Sequence, residues 1–159
     1  MLNLSPRSVL AAATVLTAAT LFAAHASEIW GGLVPCALCL VERWPYRVAI
    51  LFGILGLILP PLQARIAAWL FVLAMLTGAA DGFVHVGVEQ GWWKSPLPEC
   101  VGPDLRGLSI AQRLAAMPER PSKPCDEPTY LIPFLPVSMA AMNLIFCLGV
   151  AGVVAIRRK

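Results

Sequence analysis

The sequence predicts an all-α membrane protein: a four-helix transmembrane bundle with a long external loop carrying a short amphipathic helix. Three observations lead there. Of the 159 residues, 58% are hydrophobic and only 13% charged, whereas soluble globular domains carry about 25% charged residues. Mean hydropathy is +0.75. The apolar residues gather in four runs, each near the ~20 residues that cross a hydrocarbon core of roughly 30 Å. The length suits one domain, residues 1–159. The net charge of +3, with no basic stripe and no recognisable motif, argues against a nucleic-acid partner.

The first run spans residues 8–26 and is rich in Ala, Thr and Leu. With Arg7 before it and Ala24-His25-Ala26 at its end, it also has the outline of a signal peptide. Its apolar stretch is long for that role, so a retained span is expected. The second span, 36–59, opens on a Cys-x-x-Cys pair and stops before Pro60-Pro61. The third, 64–88, follows so closely that the two must form a tight antiparallel hairpin. The fourth covers 133–156.

Between the third and fourth lies the one long polar segment, the external loop 89–132, with Pro96, Pro98, Pro103, Pro121, Pro124 and Pro128. A loop of this length is usually functional or disordered. Its one helical signal is Ser109-Ile110-Ala111-Gln112, a capping-box pattern. Ile110, Leu114 and Met117 then share a face. That helix either lies flat on the membrane surface or buries its stripe within the loop.

Flanking Lys and Arg set the orientation. An inside N-terminus puts Arg7, Arg65, Arg157, Arg158 and Lys159 in the cytoplasm and the other seven, including Arg106 and Arg120, outside. The inside segments are much shorter, so their basic density is higher, and Arg157-Arg158-Lys159 is the clearest marker. This orientation puts the Cys-x-x-Cys end of the second span outside.

Five cysteines suit an oxidising compartment. Cys36 and Cys39 begin the second span in "VPCALCLVERWPYR". Pro35 suits the first helical position, where its missing N–H costs nothing. Cys36, Cys39 and Arg43 are then spaced i, i+3, i+7 on one face. The positive end of the helix dipole and Arg43 both stabilise a thiolate, the reactive form, while burial in lipid opposes it. Pro45 disfavours α geometry at Trp44, so a kink or a late helix start is expected near it. Cys100 and Cys125 lie in the external loop; Cys147, inside the fourth span, reads as a small buried apolar side chain.

Four readings of the outer cysteines compete. Haem attachment needs His after the second Cys, and Leu40 stands there. Zinc is disfavoured because 24 residues separate Cys100 from Cys125 and no His lies in the loop; no metal is assigned. Structural disulfides are the bland option, but a Cys-x-x-Cys bond closes too small a loop to constrain the unfolded chain much. A redox relay fits best, with one pair facing a protein partner and the other at the lipid border.

Cys-Ala-Leu-Cys-Leu-Val-Glu-Arg-Trp-Pro-Tyr-Arg, with His-Val-Gly-Val-Glu further on and a two-cysteine external loop, resembles the disulfide bond formation protein B (DsbB) family. The resemblance covers the whole chain, as one DsbB-like membrane domain. It implies a thiol:quinone oxidoreductase of the bacterial inner membrane, with both cysteine pairs facing the periplasm. DsbA, DsbB and quinone together keep that compartment oxidising. By this resemblance Cys100 and Cys125 form a loop disulfide that oxidises a DsbA-like partner, Cys100 being the sulfur attacked. Cys125 then exchanges with Cys36, and Cys39 faces the quinone, ubiquinone or menaquinone. Arg43 matches the family's quinone-site arginine. Arg47 is either a second quinone contact or an interface anchor. The loop helix would match the family's surface-lying helix.

Ionisable groups within a span are functional candidates by default. Asp81 and His85 stand i, i+4 in the third span, and Glu89 continues their face. His85 is similar in position to a family histidine beside the quinone, and Glu89 to a polar residue one turn on. His85 would donate to a quinone carbonyl or relay a proton; the alternative is a structural pair with Asp81 or Glu89. Glu42 is expected to orient Arg43 or cap the helix. Trp30, Trp44, Trp92 and Trp93 suggest an outer aromatic belt. The rival functions are a non-catalytic membrane scaffold with structural disulfides and a vitamin K epoxide reductase-like quinone reductase.

Overall fold

A computed structural model describes residues 5–100, 107, 109–115, 123–131 and 134–157. Met117, Pro103, Pro121, Pro133, Arg106, Arg120, Arg158 and Lys159, which entered the sequence reading, lie outside the described residues. Among the described residues regular structure is helical throughout, with no strand.

Helix α1, Pro6–Ile29, is longer than the expected span at both ends. Ser5 caps it, accepting from the Ser8 backbone N–H at 3.2 Å, and Pro6 follows in the first turn, where a missing N–H leaves no bond unmade. The helix runs unbroken through Ala24-His25-Ala26 and gives way at Gly31-Gly32, where Gly32 adopts φ +64°.

The expected second span is two helices, α2 (Ala37–Val41) and α3 (Arg43–Ile58). Two corrections follow. Pro35 is not in the first helical turn, because the helix begins at Ala37 with Cys36 as its cap; the Cys36 sulfur accepts the Cys39 backbone N–H at 3.2 Å. The hydrogen-bond ladder also breaks at Glu42, although Glu42 itself stays helical (φ −56°, ψ −19°). Pro45 explains the break. It has no N–H to give to the carbonyl one turn back, so the ladder restarts at Arg43 and Pro45 falls in a first turn that needs none.

Helix α4, Pro61–Glu89, starts on Pro61 after a two-residue link and packs back along α3, as the hairpin expectation required. A 3₁₀ turn at Pro98–Cys100 and helix α5, Ile110–Ala115, stand in the polar loop. The capping box forms: Ser109 N–H donates to Gln112 Oε1 at 2.9 Å and Gln112 N–H to Ser109 Oγ at 3.4 Å. Ile110 and Leu114 are exposed rather than buried in the loop. Helix α6, Met139–Arg157, starts later than residue 133 because Ser138 supplies the cap, its Oγ accepting from the Ala141 N–H at 3.2 Å.

Among the described residues three helices rather than four, α1, α4 and α6, are long and apolar enough to cross a membrane. The break at Glu42 leaves α3 with 16 residues, a rise of about 24 Å. In packing, α1 lies on α3 and α6, and α4 on α3 and α6. Val9, Leu10, Tyr46, Phe71, Met75 and Val154 meet in the core between them.

Close helix approach relies on small residues, as is common where lipid gives no hydrophobic drive to associate. At Gly82 an added Cβ would meet Asn143 Nδ2 at 2.9 Å and the Leu144 backbone N at 3.1 Å. Backbone cannot step aside as a side-chain tip can. Gly82→Ala should therefore lower stability by roughly 1–3 kcal/mol, read as a reduced unfolding midpoint in detergent micelles. An unchanged midpoint would mean that α4 and α6 do not meet there.

Candidate functional site

The site sits where α2 starts. Its N-cap geometry presents both sulfurs on one side: Cys36 Sγ and Cys39 Sγ are 2.8 Å apart and unbonded. A disulfide needs about 2.05 Å, so little movement separates the two states. Cys36 is 2% exposed, and Cys39 is half-buried.

Glu42 and Arg43 follow at the break and turn in different directions. Successive helical residues point about 100° apart, so neighbours in sequence meet different helices. Glu42 faces α4, where its Oε1 accepts from His85 Nδ1–H at 2.7 Å. That bond leaves His85 Nε2 as the free acceptor, 3.5 Å from Cys36 Sγ. Arg43 faces α1, where its guanidinium pairs with both carboxylate oxygens of Glu28 and donates to His25 Nδ1 at 3.3 Å. His85, Glu42 and Arg43 are all buried, so each charge or proton is placed by these partners and not by water.

The expectations for these residues change accordingly. His85 pairs with neither Asp81 nor Glu89, and Glu42 orients His85 rather than Arg43. Asp81 lines a separate surface depression with Trp44 and Pro45. The metal expectation looked for histidine in the loop. The histidine comes from α4 instead, and the ligand atoms of Cys36, Cys39 and His85 all lie within 4.8 Å of one another.

A cavity of about 240 Å³ opens beside Cys39, between α1, α3 and α6. Cys39, Glu42 and Arg43 stand at its polar end; Leu21, Met142 and Phe146 are among its apolar walls. Tyr46 and Asn143 line it as well, joined by the Tyr46 hydroxyl donating to Asn143 Oδ1 at 2.7 Å. A mostly apolar pocket with a few convergent polar groups is the usual form of a small-molecule site.

Cys100 and Cys125 are bonded to each other, with Cα atoms 5.0 Å apart. They are 4% and 1% exposed. With Cys36, Leu38 and Val88 they form one buried cluster, against which Ala37, Cys39 and Leu97 pack. The long loop thus folds its disulfide directly onto the Cys-x-x-Cys turn.

A family model described as "Disulfide bond formation protein DsbB" matches the chain over residues 6–157. The chain belongs to the DsbB family. Searches of curated proteins and of solved structures gave no match. DsbB membership makes the chain an oxidoreductase of disulfide formation set in a membrane, of a family that uses quinones and serves DsbA-like partners.

Of the eight site residues expected from sequence, six converge here: the four cysteines, Arg43 and His85. Arg47 and Glu89 do not reach the DsbB cavity. Arg47 stacks on the Trp44 ring at 5.0 Å, and Glu89 accepts from the Ser138 hydroxyl at 2.5 Å, tying α4 to the start of α6. Glu28, His25, Tyr46 and Asn143 were not foreseen. Asn143, a polar residue inside an apolar run, was the one readable signal. Glu28 is the sole carboxylate that Arg43 pairs with among the described residues. Glu28→Gln should leave a buried guanidinium short of its counter-charge, costing about 1–3 kcal/mol or more. Thermal unfolding in micelles reads this, and a midpoint equal to wild type would show the pair to be dispensable.

Proposed function

We propose that the chain oxidises a periplasmic thioredoxin-like dithiol protein, similar to DsbA, and passes the electrons through its two cysteine pairs to a membrane quinone, ubiquinone or menaquinone. The observation that carries this reading is the single buried cluster holding Cys36, Cys100 and Cys125. Purely structural disulfides have no need to share one cluster with a free thiol pair. Thiol–disulfide exchange needs that proximity.

In this reading α2 and α3 together make a fourth crossing, since residues 37–58 as one helical path rise about 33 Å. The whole chain is then one membrane domain in the bacterial inner membrane. Both cysteine pairs face the periplasm, and Arg7, Arg65 and Arg157 lie at the cytoplasmic ends. The exposed Ile110 and Leu114 of α5 rest on the periplasmic surface of that membrane.

A partner thiolate attacks the Cys100–Cys125 bond at Cys100, and the partner's second thiol resolves the mixed disulfide. The partner leaves oxidised and the loop pair reduced. Cys125 attacks Cys36 of an oxidised Cys36–Cys39 pair, the loop disulfide re-forms, and two thiols remain at Cys36 and Cys39. Re-forming the inner bond releases two electrons and two protons. A bound quinone supplies the acceptor for both. His85 Nε2, 3.5 Å from Cys36 Sγ and fixed by Glu42, accepts a thiol proton. Arg43 adds positive charge beside Cys39, offset in part by Glu28.

The cavity fits a quinone ring in character: it is mostly apolar, with Cys39 and Arg43 at its polar end. At about 240 Å³ it is smaller than the roughly 300–1,000 Å³ of drug-sized sites, so it takes the ring and leaves an isoprenoid tail in the lipid. Arg47 serves as an interface anchor on Trp44, and Glu89 holds α6 in place.

The test mixes purified protein with a reduced DsbA-like partner and ubiquinone. One quinone should be consumed per disulfide formed in the partner. Partner oxidation without quinone consumption would sink the reading.

A further inference from the structure

We propose that Cys36, Cys39 and His85 form a binding site for a thiophilic divalent cation of the Zn²⁺ or Cd²⁺ class, available only when the Cys36–Cys39 pair is reduced. Three ligand atoms of the right chemistry lie within 4.8 Å of one another. Tetrahedral zinc places a thiolate sulfur and an imidazole nitrogen about 3.5 Å apart and two sulfurs about 3.8 Å apart. Cys36 Sγ and His85 Nε2 already stand at 3.5 Å. The sulfurs, at 2.8 Å, must open by about 1 Å to reach the tetrahedral value. Cys39 is half-buried and borders the cavity, so rotating its side chain provides that opening.

The imidazole is already oriented for the task. Glu42 holds Nδ1–H at 2.7 Å, which leaves the Nε2 lone pair free, 3.5 Å from Cys36 Sγ. A carboxylate behind a metal-binding histidine is the usual supporting arrangement, and its loss typically costs 10–100-fold in affinity. Of the three ligand residues Cys39 borders the cavity, which gives the cation a route in from that side. Cys100 and Cys125 are bonded to each other and take no part.

Binding moves no electrons. Each thiol releases one proton, and both sulfurs bond the cation as thiolates. The oxidised pair has no thiolate to offer and does not bind. A cation held there occupies the two sulfurs that must form a disulfide, so it arrests the cycle in its reduced state. The arrest, unlike the binding, rests on the thiol:quinone reading above.

Co²⁺ serves as the spectroscopic probe, titrated into the full chain in detergent micelles after reduction. Cys100 and Cys125 are both replaced by Ser there, and the buried free Cys147 by Ala, so that only the inner pair offers thiolates. One cobalt per chain should bind with a thiolate-to-cobalt absorption that Zn²⁺ abolishes. His85→Ala and Glu42→Gln should each weaken binding at least tenfold, and oxidation of the inner pair should eliminate it. Absence of the thiolate absorption, or affinity unchanged by His85→Ala, overturns the proposal. A second measurement needs no variant. One equivalent of Zn²⁺ should slow alkylation of Cys36 and Cys39 in the reduced wild-type chain, and a chelator should reverse this; equal rates with and without zinc also overturn it. Metal-free wild-type protein is assayed in parallel for coupled quinone reduction. Coupling without cobalt binding removes the cation site alone; cobalt binding without coupling removes the relay and leaves the site.

Discussion

Replacing Cys39 with Ala should stop turnover while sparing one round of partner oxidation. The Cys100–Cys125 disulfide still holds one oxidising equivalent. Once it is spent, the inner pair cannot re-form, because Cys36 has lost the sulfur 2.8 Å away. Steady-state oxidation of a reduced DsbA-like partner should fall on the order of 10³-fold or more, as when one member of a covalent catalytic unit is removed. A burst of about one partner disulfide per chain should remain, as one loop bond supplies one exchange. Rapid mixing with thiol trapping measures both. Sustained turnover near the wild-type rate would remove Cys39 from the relay, and so would quinone consumption driven by a small dithiol in this variant.

Cys125→Ala should divide the activity the other way. Without its partner sulfur, Cys100 cannot hold the disulfide that a DsbA-like protein reduces, so protein-driven turnover should drop by a similar factor of about 10³. The inner pair is untouched, and Cys39 borders an open cavity. Dithiothreitol should therefore still drive quinone consumption through Cys36 and Cys39. If partner-driven turnover survives, the loop disulfide is only a staple holding the loop on the α2 turn. If both activities vanish while the unfolding midpoint holds, the two pairs act as one unit rather than in series.

Much of this site is legible in the sequence. Cys36-x-x-Cys39 is a local pattern beside an apolar run, and Cys100 and Cys125 stand out in a polar loop. His85 stood out because an ionisable residue inside a span is costly unless it serves a purpose. The helix interruption was foreshadowed by Pro45, though it falls at Glu42, one turn ahead, because the proline's missing N–H breaks a bond to a preceding residue. The expected partners of His85 were misread because Asp81 and Glu89 share its helix face by spacing, while Glu42 reaches it from another helix.

Hydropathy, turn chemistry and cysteine spacing are local properties, and reading along the chain suffices to find apolar helices, the α3–α4 hairpin and two cysteine pairs in order. Which groups meet is not local. Glu42 and Arg43 are neighbours in sequence, yet one closes on α4 and the other on α1. Cys36 joins Cys100 and Cys125 only because a loop of more than 40 residues folds its disulfide back onto the α2 turn. Those choices follow from how the helices are rotated against one another. Rotation is set by packing of small residues such as Gly82 against a neighbouring backbone, a contact between distant parts of the chain that no single stretch of sequence encodes.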